Sequence, residues 1–233
     1  MDEEDFRAGL RQIKVNGIKE FSTPNLVKGQ TVYGEKLIKI GDEEYRIWDP
    51  FRSKLAAGLK KGLRDFPINP GDKILYLGAS TGTTVSHVSD LVGNKGLVFA
   101  VEPAVRVARE LIENVGSKRK NVIPIIEDAR RPDSYFSVFG NVDLVYCDIA
   151  QPDQTEIAIK NCNAFLKNKG IMLIVIKTRS IDVTMSPQSV VAMESEKLRQ
   201  NSFHINQTIN LDPFDKDHAL IHATYSPSGN SAK

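Results

Sequence analysis

The segment that most constrains the fold is KILYLGASTGTTVSHVSD, which occupies residues 73–90. Its first five residues are mostly apolar and follow an Asn-Pro-Gly-Asp turn, which predicts a buried strand. A loop of small residues comes next, and residues 85–91 are typical of a helix. A strand, a loop of small residues and a helix in this order form a typical nucleotide-cofactor site. Small residues such as Gly78 and Ala79 let the backbone come close to a ligand, and the N–H groups at the start of the helix point toward that ligand. The loop alone does not decide the matter, since tight turns in general favour Gly and Ser.

Beyond this segment, strands and helices alternate along the chain. Alternation that ends in two adjacent strands is typical of an α/β fold, with a mostly parallel, Rossmann-like sheet and an antiparallel edge. Strands are predicted at residues 97–101, 122–126, 142–147, 170–176, 204–210 and 219–225, and helices at residues 104–115, 155–166 and 187–200.

The N-terminal part of the chain has a different pattern. Short alternating runs such as IKV and LIKI are separated by turn sequences such as Asn-Gly, which predicts a small antiparallel β domain. Asp49 and Pro50 have the residue types of a helix N-cap and a first helical position, so a helix is predicted from there to Lys61. We therefore expect a β domain at residues 1–49 and a Rossmann-like domain at residues 50–233.

Composition narrows the class of protein. The chain has no run of 18 apolar residues, so no membrane span is expected, and its acidic N-terminus lacks the apolar region of a signal peptide. It has two cysteines, one of them in a predicted buried strand, which favours a reduced, cytoplasmic protein. No Cys/His cluster indicates a metal site. The net charge of +2 neither demands nor excludes nucleic acid.

Polar residues stand at the carboxyl ends of successive predicted strands, where an open α/β sheet has its ligand crevice. Glu102 lies 24 residues after Gly78, a spacing that suits an acid accepting hydrogen bonds from ribose hydroxyls. Asp128 and the backbone of Ala129 would meet an adenine amino group, and Asp148 would lie near the reacting centre. Several acids suit a cationic sulfonium better than a pyrophosphate, and neither GxGxxG nor a P-loop is present, which points to S-adenosylmethionine.

A set of longer motifs resembles one known family. The sequences YLGASTGTTVSHVSD, AVEP, IEDAR, YCDIAQPDQ, IKTRSID and DHALIHATY are similar to those of fibrillarin in its archaeal form. The resemblance implies a class I S-adenosylmethionine-dependent methyltransferase fold behind a small β domain. It also implies methylation of ribose 2′-hydroxyls in rRNA and tRNA, directed by a box C/D guide RNA. The implied protein partners are a Nop-domain scaffold protein and, through the complex, a kink-turn-binding protein.

The resemblance also carries residue assignments. Pro103 stands where the family usually has an aromatic residue beside the adenine. The catalytic set implied by the resemblance is Lys54, Asp148, Lys177 and His218. The residues implied to line the cofactor, beyond Gly78 and Ala79 of the loop, are Thr83, Thr84, Glu102, Pro103, Asp128, Ala129, Asp148, Ile149, Ala150 and Gln151.

The chemistry and the RNA contacts are hypotheses. Lys177 would orient the ribose hydroxyl or accept its proton, and Asp148 would hold Lys177. A neighbouring carboxylate raises the pKa of a lysine, so positioning is the favoured role. Candidate RNA contacts at the strand ends are Arg52, Lys54, Arg130, Arg131 and Arg179, whereas the basic triplet at residues 118–120 lies at the opposite edge of the sheet.

Three other functions are compatible with part of this sequence pattern. A nicotinamide oxidoreductase has the same strand, loop and helix arrangement, but its loop would be expected to have a GxGxxG motif, which this sequence lacks. A methyltransferase acting on a protein side chain or base amine often has an Asx-Pro-Pro-aromatic sequence where this chain has DIAQP. A non-catalytic ribonucleoprotein subunit would have no need of both Asp148 and Lys177. The second and third remain alternatives.

Overall fold

The computed structural model describes residues 4–5, 9–136 and 140–227. Its strands are β1 Glu4–Asp5, β2 Arg11–Val15, β3 Ile18–Pro24, β4 Leu37–Ile40, β5 Glu43–Ile47, β6 Lys73–Leu77, β7 Leu97–Val101, β8 Val122–Ile125, β9 Val142–Cys147, β10 Leu166–Lys177, β11 Phe203–Asn210 and β12 His218–Tyr225. Its α-helices are α1 Lys54–Lys60, α2 Thr83–Val92, α3 Val105–Leu111, α4 Gln154–Phe165, α5 Thr178–Ile181 and α6 Pro187–Gln200.

The strands form two separate sheets. The first has the order β1-β2-β3-β5-β4 and is antiparallel throughout. The second has the order β11-β12-β10-β9-β6-β7-β8, in which β8, β7, β6, β9 and β10 are parallel and β12 and β11 form an antiparallel edge. The predicted α/β fold, with a small antiparallel sheet before it, is confirmed.

Apolar side chains fill both faces of the second sheet. One core contains Leu55 of α1, Val88 of α2 and Leu111 of α3, together with Phe21 and Trp48 from the first sheet and its exit. The other core contains apolar residues of α4 and α6. The first sheet therefore shares a core with the Rossmann-like sheet. No helix in the described ranges has the length and apolarity needed to cross a bilayer.

Three local expectations differ from the structure. The predicted helix start at Asp49 is wrong, because the Asp49 carboxylate accepts a hydrogen bond from Phe51 N (2.8 Å) and so forms a turn. Ser53 is the actual N-cap of α1. The predicted helix at residues 104–115 changes at its end into a π-helical segment, Ile112–Gly116. The short helix α5, directly after β10, was not predicted.

One polar, buried face of α2 joins the two sheets. Thr84, His87 and Asp90 are spaced three residues apart, so they lie on the same side of the helix. All three are buried, which is unusual for an acid and requires partners. They contact the first sheet and α1.

Asp90 is the centre of a buried ionic network. Its Oδ2 accepts hydrogen bonds from Arg46 Nη1 at 2.7 Å and from the Thr23 hydroxyl at 3.1 Å. Its Oδ1 accepts from Arg119 Nη1 and from Leu26 N, the latter at 3.1 Å. The Arg46 guanidinium is fully buried. Two cations and several neutral donors thus compensate a carboxylate removed from water.

The opposite end of the Arg46 guanidinium meets Glu35. Arg46 Nε donates to Glu35 Oε1 at 2.6 Å, while Tyr33 N and Val32 N donate to the same carboxylate at 2.9–3.1 Å. Burial works to raise the pKa of Glu35, but these N–H groups and the Arg46 charge outweigh it and lower that pKa. Glu35 is therefore held ionised beside its partner.

His87 is a structural histidine in the same interface. Its Nδ1 lies 2.8 Å from the Thr23 hydroxyl, its Nε2 lies 2.8 Å from the Tyr33 hydroxyl, and its ring stacks on Trp48 with centroids 4.8 Å apart. Burial, followed by the charges of Arg46 and Arg119, lowers the pKa of His87 well below its ordinary value. The imidazole is therefore neutral in the folded protein at neutral pH.

Breaking the Arg46 contacts should destabilise the protein strongly. We expect Arg46→Met to lower the free energy of unfolding by about 3–5 kcal/mol, because Asp90 and Glu35 would stay buried without their shared cation. Chemical denaturation measures this loss. The matched control is Lys39→Met, which removes a cation from an exposed position on β4, beside β5, and should change the free energy by less than about 0.5 kcal/mol. Equal effects of the two changes would contradict the role given to Arg46.

His87 should make stability depend on pH. As the pH falls through the ordinary histidine value of 6.5, the unfolded chain takes up a proton at this residue and the folded protein does not. The free energy of unfolding should therefore drop by up to about 1.4 kcal/mol between pH 7.5 and pH 5.5 from this residue alone. His87→Gln should remove most of that drop, whereas His204→Gln, at an exposed position, should leave it unchanged. An unaltered pH slope in His87→Gln would refute this account.

Candidate active site

A cleft of about 250 Å³ opens at the carboxyl ends of the parallel strands. We call it the strand-end cleft. It lies where a doubly wound sheet binds its ligand. Its lining comprises Gly78, Ser80, Val101, Glu102, Pro103, Asp128, Ala129, Arg130, Asp148, Ile149, Ala150, Gln151, Ile157 and Lys177.

Gly78 is required by close backbone packing at the floor of this cleft. Its φ is +82°, and a Cβ there would lie 2.7 Å from the Asp148 carbonyl oxygen. Gly78 N and Ala79 N both donate to Val101 O at 3.0 Å, and Asp148 N donates to Leu77 O at 2.9 Å. The loop after β6 is thus packed against the ends of β7 and β9, and any larger residue would displace Asp148.

Glu102 is fixed by backbone donors. Ser80 N donates to Glu102 Oε2 at 2.9 Å, and Ala104 N donates to Glu102 Oε1 at 3.1 Å. In the described part of the chain no cationic side chain forms an ion pair with it. Its negative charge and remaining lone pairs are therefore available to a ligand with hydroxyl donors.

Asp128 and its neighbours form the outer wall. Arg130 N donates to Asp128 Oδ1 at 2.9 Å. The Arg130 guanidinium turns to the surface, where it donates to Asp153 at 2.8 and 3.0 Å and to Gln151 at 3.0 Å. Asp128 therefore keeps a carboxylate edge toward the cleft, with the Arg130 Nη1 atom 3.8 Å from its Oδ2.

Two lysines converge on Asp148. Lys177 Nζ lies 2.8 Å from Asp148 Oδ1 and donates to the Asp148 carbonyl oxygen at 3.0 Å. Lys54 Nζ donates to Asp148 Oδ2 at 3.3 Å. The side chains of Asp148 and Lys177 are each 13% exposed and that of Lys54 is 24% exposed, so water screens these pairs only partly.

Asp215 extends the cluster to His218. Its Oδ2 lies 3.6 Å from Lys54 Nζ, and its Oδ1 lies 2.9 Å from His218 Nδ1. His218 Nδ1 also lies 2.6 Å from the Lys216 carbonyl oxygen. We call Lys54, Asp148, Lys177, Asp215 and His218 the five-residue cluster. Cationic and anionic side chains alternate from Lys177 to Asp215.

The residues beneath Asp148 are neutral. Burial raises the pKa of the Cys147 thiol to about 12, and burial also raises the pKa values of Tyr76 and Tyr146 well above the ordinary value. The negative charge of Asp148 contributes in the same direction to each of them. Cys147 is therefore an inert core thiol, and Asp148 follows a strand whose last residues are buried.

The structure brings together most residues that the sequence indicated. The four catalytic candidates, Lys54, Asp148, Lys177 and His218, belong to the same cluster. All of the cofactor candidates except Ala79, Thr83 and Thr84 line the strand-end cleft. The hydroxyl of Thr84 instead donates to Ser53 Oγ at 2.9 Å, on the far side of the loop.

Sequence reasoning missed two contributors. Asp215 lies in the turn between β11 and β12, and nothing in a turn sequence indicates a partner on α1. Gln154 is fully buried at the start of α4, and its amide satisfies three backbone groups when its nitrogen faces Ile149 O (2.9 Å) and Val175 O (3.0 Å) and its oxygen faces Lys177 N (3.2 Å). The QPDQ sequence contains Gln154, but its burial was not predictable.

The basic candidates for RNA contact divide into two groups. Arg52 is exposed and lies over the Tyr33 ring, whereas Arg130, Arg131 and Arg179 are exposed and pair with Asp153, Glu127 and Asp217. In the triplet at residues 118–120, Arg119 is buried against Asp90 and serves the network of α2. In the described ranges, no three His, Cys, Asp or Glu side chains are grouped as metal ligands.

Comparison with known proteins gives concordant matches. A family model described as Fibrillarin matches residues 3–227. A fibrillarin-like rRNA/tRNA 2′-O-methyltransferase of Saccharolobus islandicus is 53% identical over 210 residues, which are 90% of each chain. The structure of Aeropyrum pernix fibrillarin with natively bound S-adenosyl-L-methionine is 44% identical, covers 96% of this chain and 98% of its own, and has a TM-score of 0.88. A fibrillarin/Nop5p complex is 37% identical, with coverages of 96% and 100% and a TM-score of 0.84.

Gly78→Ala should destabilise the protein by more than the strain of a positive φ alone would explain. We expect it to lower the free energy of unfolding by about 1–3 kcal/mol more than Gly71→Ala, because its Cβ would meet a backbone oxygen. Gly71 is the matched control: it precedes β6, its φ is +90°, and a Cβ there would meet nothing within 4 Å. Chemical denaturation of both variants makes the comparison, and equal losses would show that the contact with Asp148 is unimportant.

Proposed function

Because this chain belongs to the fibrillarin family, we propose that it transfers the methyl group of S-adenosylmethionine to ribose 2′-hydroxyls of rRNA and tRNA. A box C/D guide RNA would select the nucleotide. The observation that carries this proposal is the pair of lysines on Asp148 at the strand-end cleft, with Lys177 Nζ 2.8 Å and Lys54 Nζ 3.3 Å from its carboxylate. Such a cluster can hold a hydroxyl nucleophile beside a bound methyl donor.

The lining of the strand-end cleft fits that cofactor. Gly78 lines the cleft and, because it has no Cβ, lets the Asp148 backbone lie close beside it at the cleft floor. Glu102 offers carboxylate oxygens for ribose hydroxyls, Asp128 with the Ala129 backbone would hold the adenine, and Pro103 would lie beside its ring. When bound, the cofactor supplies a methyl group already activated by a positively charged sulfur. The acidic lining favours that charge.

The chain's own residues would mainly position the acceptor. A ribose hydroxyl is a weak nucleophile, and in-line alignment with an activated methyl group provides much of the rate. Lys177 is held by the carboxylate and the carbonyl of Asp148, so its ammonium hydrogens have a fixed direction. It would donate to the hydroxyl oxygen and orient a lone pair toward the methyl group. Lys54, held between Asp148 and Asp215, would steady the same carboxylate.

Assembly with other molecules would supply most of the RNA affinity. Arg52, Arg131 and Arg179 are exposed, but Arg131 and Arg179 already pair with Glu127 and Asp217, so these side chains would make few phosphate contacts. We propose a Nop-domain scaffold protein as the direct partner, in line with the fibrillarin/Nop5p complex. A kink-turn-binding protein would join through the scaffold and guide RNA. We place the protein in the cytoplasm of an archaeal cell, where its RNA substrates are made.

We also propose that the chain consists of two domains with different roles. A β domain at residues 1–49 would precede a methyltransferase domain at residues 50–233. The first sheet ends at Ile47, and α1 begins at Lys54 and packs with the second sheet. In this arrangement the methyltransferase domain contains both the cleft and the five-residue cluster, and the β domain supports it.

A methyl-transfer assay with a modified acceptor tests this function. Labelled S-adenosylmethionine is incubated with the protein, the scaffold and kink-turn partners, and a guide-paired RNA. A parallel RNA carries a 2′-deoxyribose at the target nucleotide. We expect transfer to the first RNA and none to the second, because the acceptor oxygen is missing. Transfer to both would indicate methylation of a base or a protein side chain, and transfer to neither despite cofactor binding would indicate a structural subunit.

The same assay tests the role of the cluster with a matched pair of variants. Lys177→Met should slow transfer about 100-fold or more, with cofactor affinity nearly unchanged, because the positioning donor is lost. Lys167→Met is the control, since Lys167 lies at the other end of β10 and also pairs with an aspartate, Asp143, at 2.6 Å. It should leave the rate within about twofold of the unmodified protein. Similar rates for the two variants would remove Lys177 from the mechanism.

A further inference from the structure

We infer that Asp215 is a positioning residue that holds His218 with its hydrogen on Nδ1, so that His218 Nε2 accepts the proton of the ribose hydroxyl. This inference rests on the proposed methyl-transfer function and adds to it a proton acceptor other than Lys177. It comes from the contacts of the turn between β11 and β12.

The neighbours of His218 Nδ1 fix its hydrogen. Nδ1 lies 2.6 Å from the Lys216 carbonyl oxygen and 2.9 Å from Asp215 Oδ1. A carbonyl oxygen and an ionised carboxylate can only accept hydrogen bonds, so Nδ1 must carry the hydrogen. In the neutral imidazole the other ring nitrogen, Nε2, then has a free lone pair. Among the described residues none forms a hydrogen bond with Nε2.

The sheet places the His218 ring on the side of the cluster. His218 is directly opposite Lys177 in the antiparallel pairing of β10 and β12. Side chains of directly opposed residues project from the same face, with Cβ atoms about 5 Å apart. His218 and Lys177 therefore flank one space, which the proposed ribose acceptor would enter. Asp217, whose carbonyl oxygen accepts from Thr178 N (3.1 Å) and Oγ1 (2.8 Å), anchors the start of β12 beside that space.

His218 is the suitable base among the five residues. Lysine side chains are in general protonated at neutral pH, and both lysines here contact aspartate carboxylates. Carboxylates are weaker bases than imidazole, and both aspartates here already contact cations. A neutral imidazole combines an available lone pair with adequate basicity.

The proposed step balances in atoms and charge. A lone pair of the ribose 2′-oxygen forms the new O–CH₃ bond, and the C–S bond breaks with its electron pair remaining on sulfur. The O–H proton passes to His218 Nε2, which gives an imidazolium beside the Asp215 carboxylate. That proton then leaves to water, since the His218 side chain is 21% exposed. Asp215 stabilises the imidazolium and keeps the ring in place throughout.

Single-turnover kinetics in the assembled complex test the proposal. We expect His218→Gln to slow methyl transfer about 100-fold, the usual contribution of a positioned base, and Asp215→Ala to slow it by a similar factor. Cofactor affinity should change less than about twofold in both, because neither residue lines the strand-end cleft. Asp212→Asn is the control, since it removes a charge from an exposed position in the same turn.

Double variants separate the action on His218 from the contact with Lys54. If Asp215 acts through His218, Asp215→Ala should cause no further loss in a His218→Gln protein, yet should still slow a Lys54→Met protein. The reverse pattern, in which the loss disappears only in the Lys54→Met protein, would overturn the proposal. So would a rate within about threefold of the unmodified protein in either single variant. Failure of the proposed function gives a different result. The unmodified protein would then methylate the 2′-deoxy RNA as well, or would methylate neither RNA.

A spectroscopic measurement checks the tautomer without activity. In protein labelled with ¹⁵N-histidine, long-range ¹H–¹⁵N correlation distinguishes a ring nitrogen that carries hydrogen from one that does not. We expect His218, assigned by its absence in His218→Gln, to carry hydrogen on Nδ1 when neutral. Asp215→Ala should add a population with hydrogen on Nε2, and Asp212→Asn should not. Hydrogen on Nε2 in the unmodified protein would overturn the proposal.

Discussion

The rest of the structure depends on the carboxylate of Asp90. It joins α2 to Arg46 and Thr23 of the first sheet and to Arg119 before β8. With Glu35, the network has two guanidinium groups and two carboxylates, so its formal charges cancel away from water. Replacing such a network by apolar groups can be neutral or even stabilising, whereas removing a single member is costly. Directional hydrogen bonds also fix one orientation of the first sheet on the second, which an apolar contact would specify less narrowly.

Helix α2 links this orientation to the five-residue cluster. At its end it holds the first sheet through His87 and Asp90, and at its start the Thr84 hydroxyl donates to Ser53 Oγ at 2.9 Å. Ser53 is the N-cap of α1, and Lys54 is the first residue of that helix. The position of Lys54 on Asp148 therefore depends on a polar helix face that never touches the cleft. The first sheet thus supports the site without contributing to the five-residue cluster.

The sequence allowed the second sheet to be predicted nearly strand by strand, because apolar runs alternate with amphipathic helices and acids follow the strands. Local patterns say less about polar groups that are buried. Asp90, Arg46 and Arg119 resemble ordinary surface residues in the sequence, and only the assembled interface shows what compensates their charges. The start of α1 is a related case. Asp followed by Pro has the residue types of a helix start, but the same types also suit a turn, and here the Asp49 carboxylate accepts a hydrogen bond from Phe51 N in a turn.

Asp215 shows why a site can be only partly predicted. Lys54, Asp148 and Lys177 were identified from strand ends and family motifs, which are local features. Asp215 reaches Lys54 because an antiparallel hairpin returns beside β10, a contact set by topology and not by the sequence of the turn.

The side chains of the five-residue cluster differ in their exposure to water, and their proposed roles differ accordingly. Lys177 and Asp148 are the most enclosed pair, each 13% exposed, whereas Asp215 and His218 are 32% and 21% exposed. Low exposure strengthens the ion pair in the enclosed part, so in the proposed mechanism that part would hold the hydroxyl and its developing charge. In the proposed mechanism Lys177, which is paired with Asp148, positions the hydroxyl there and does not accept its proton. Transfer toward the more exposed end places the proton where water can take it. In the proposed mechanism the series from Lys177 to His218 therefore separates the positioning of the nucleophile from the removal of its proton.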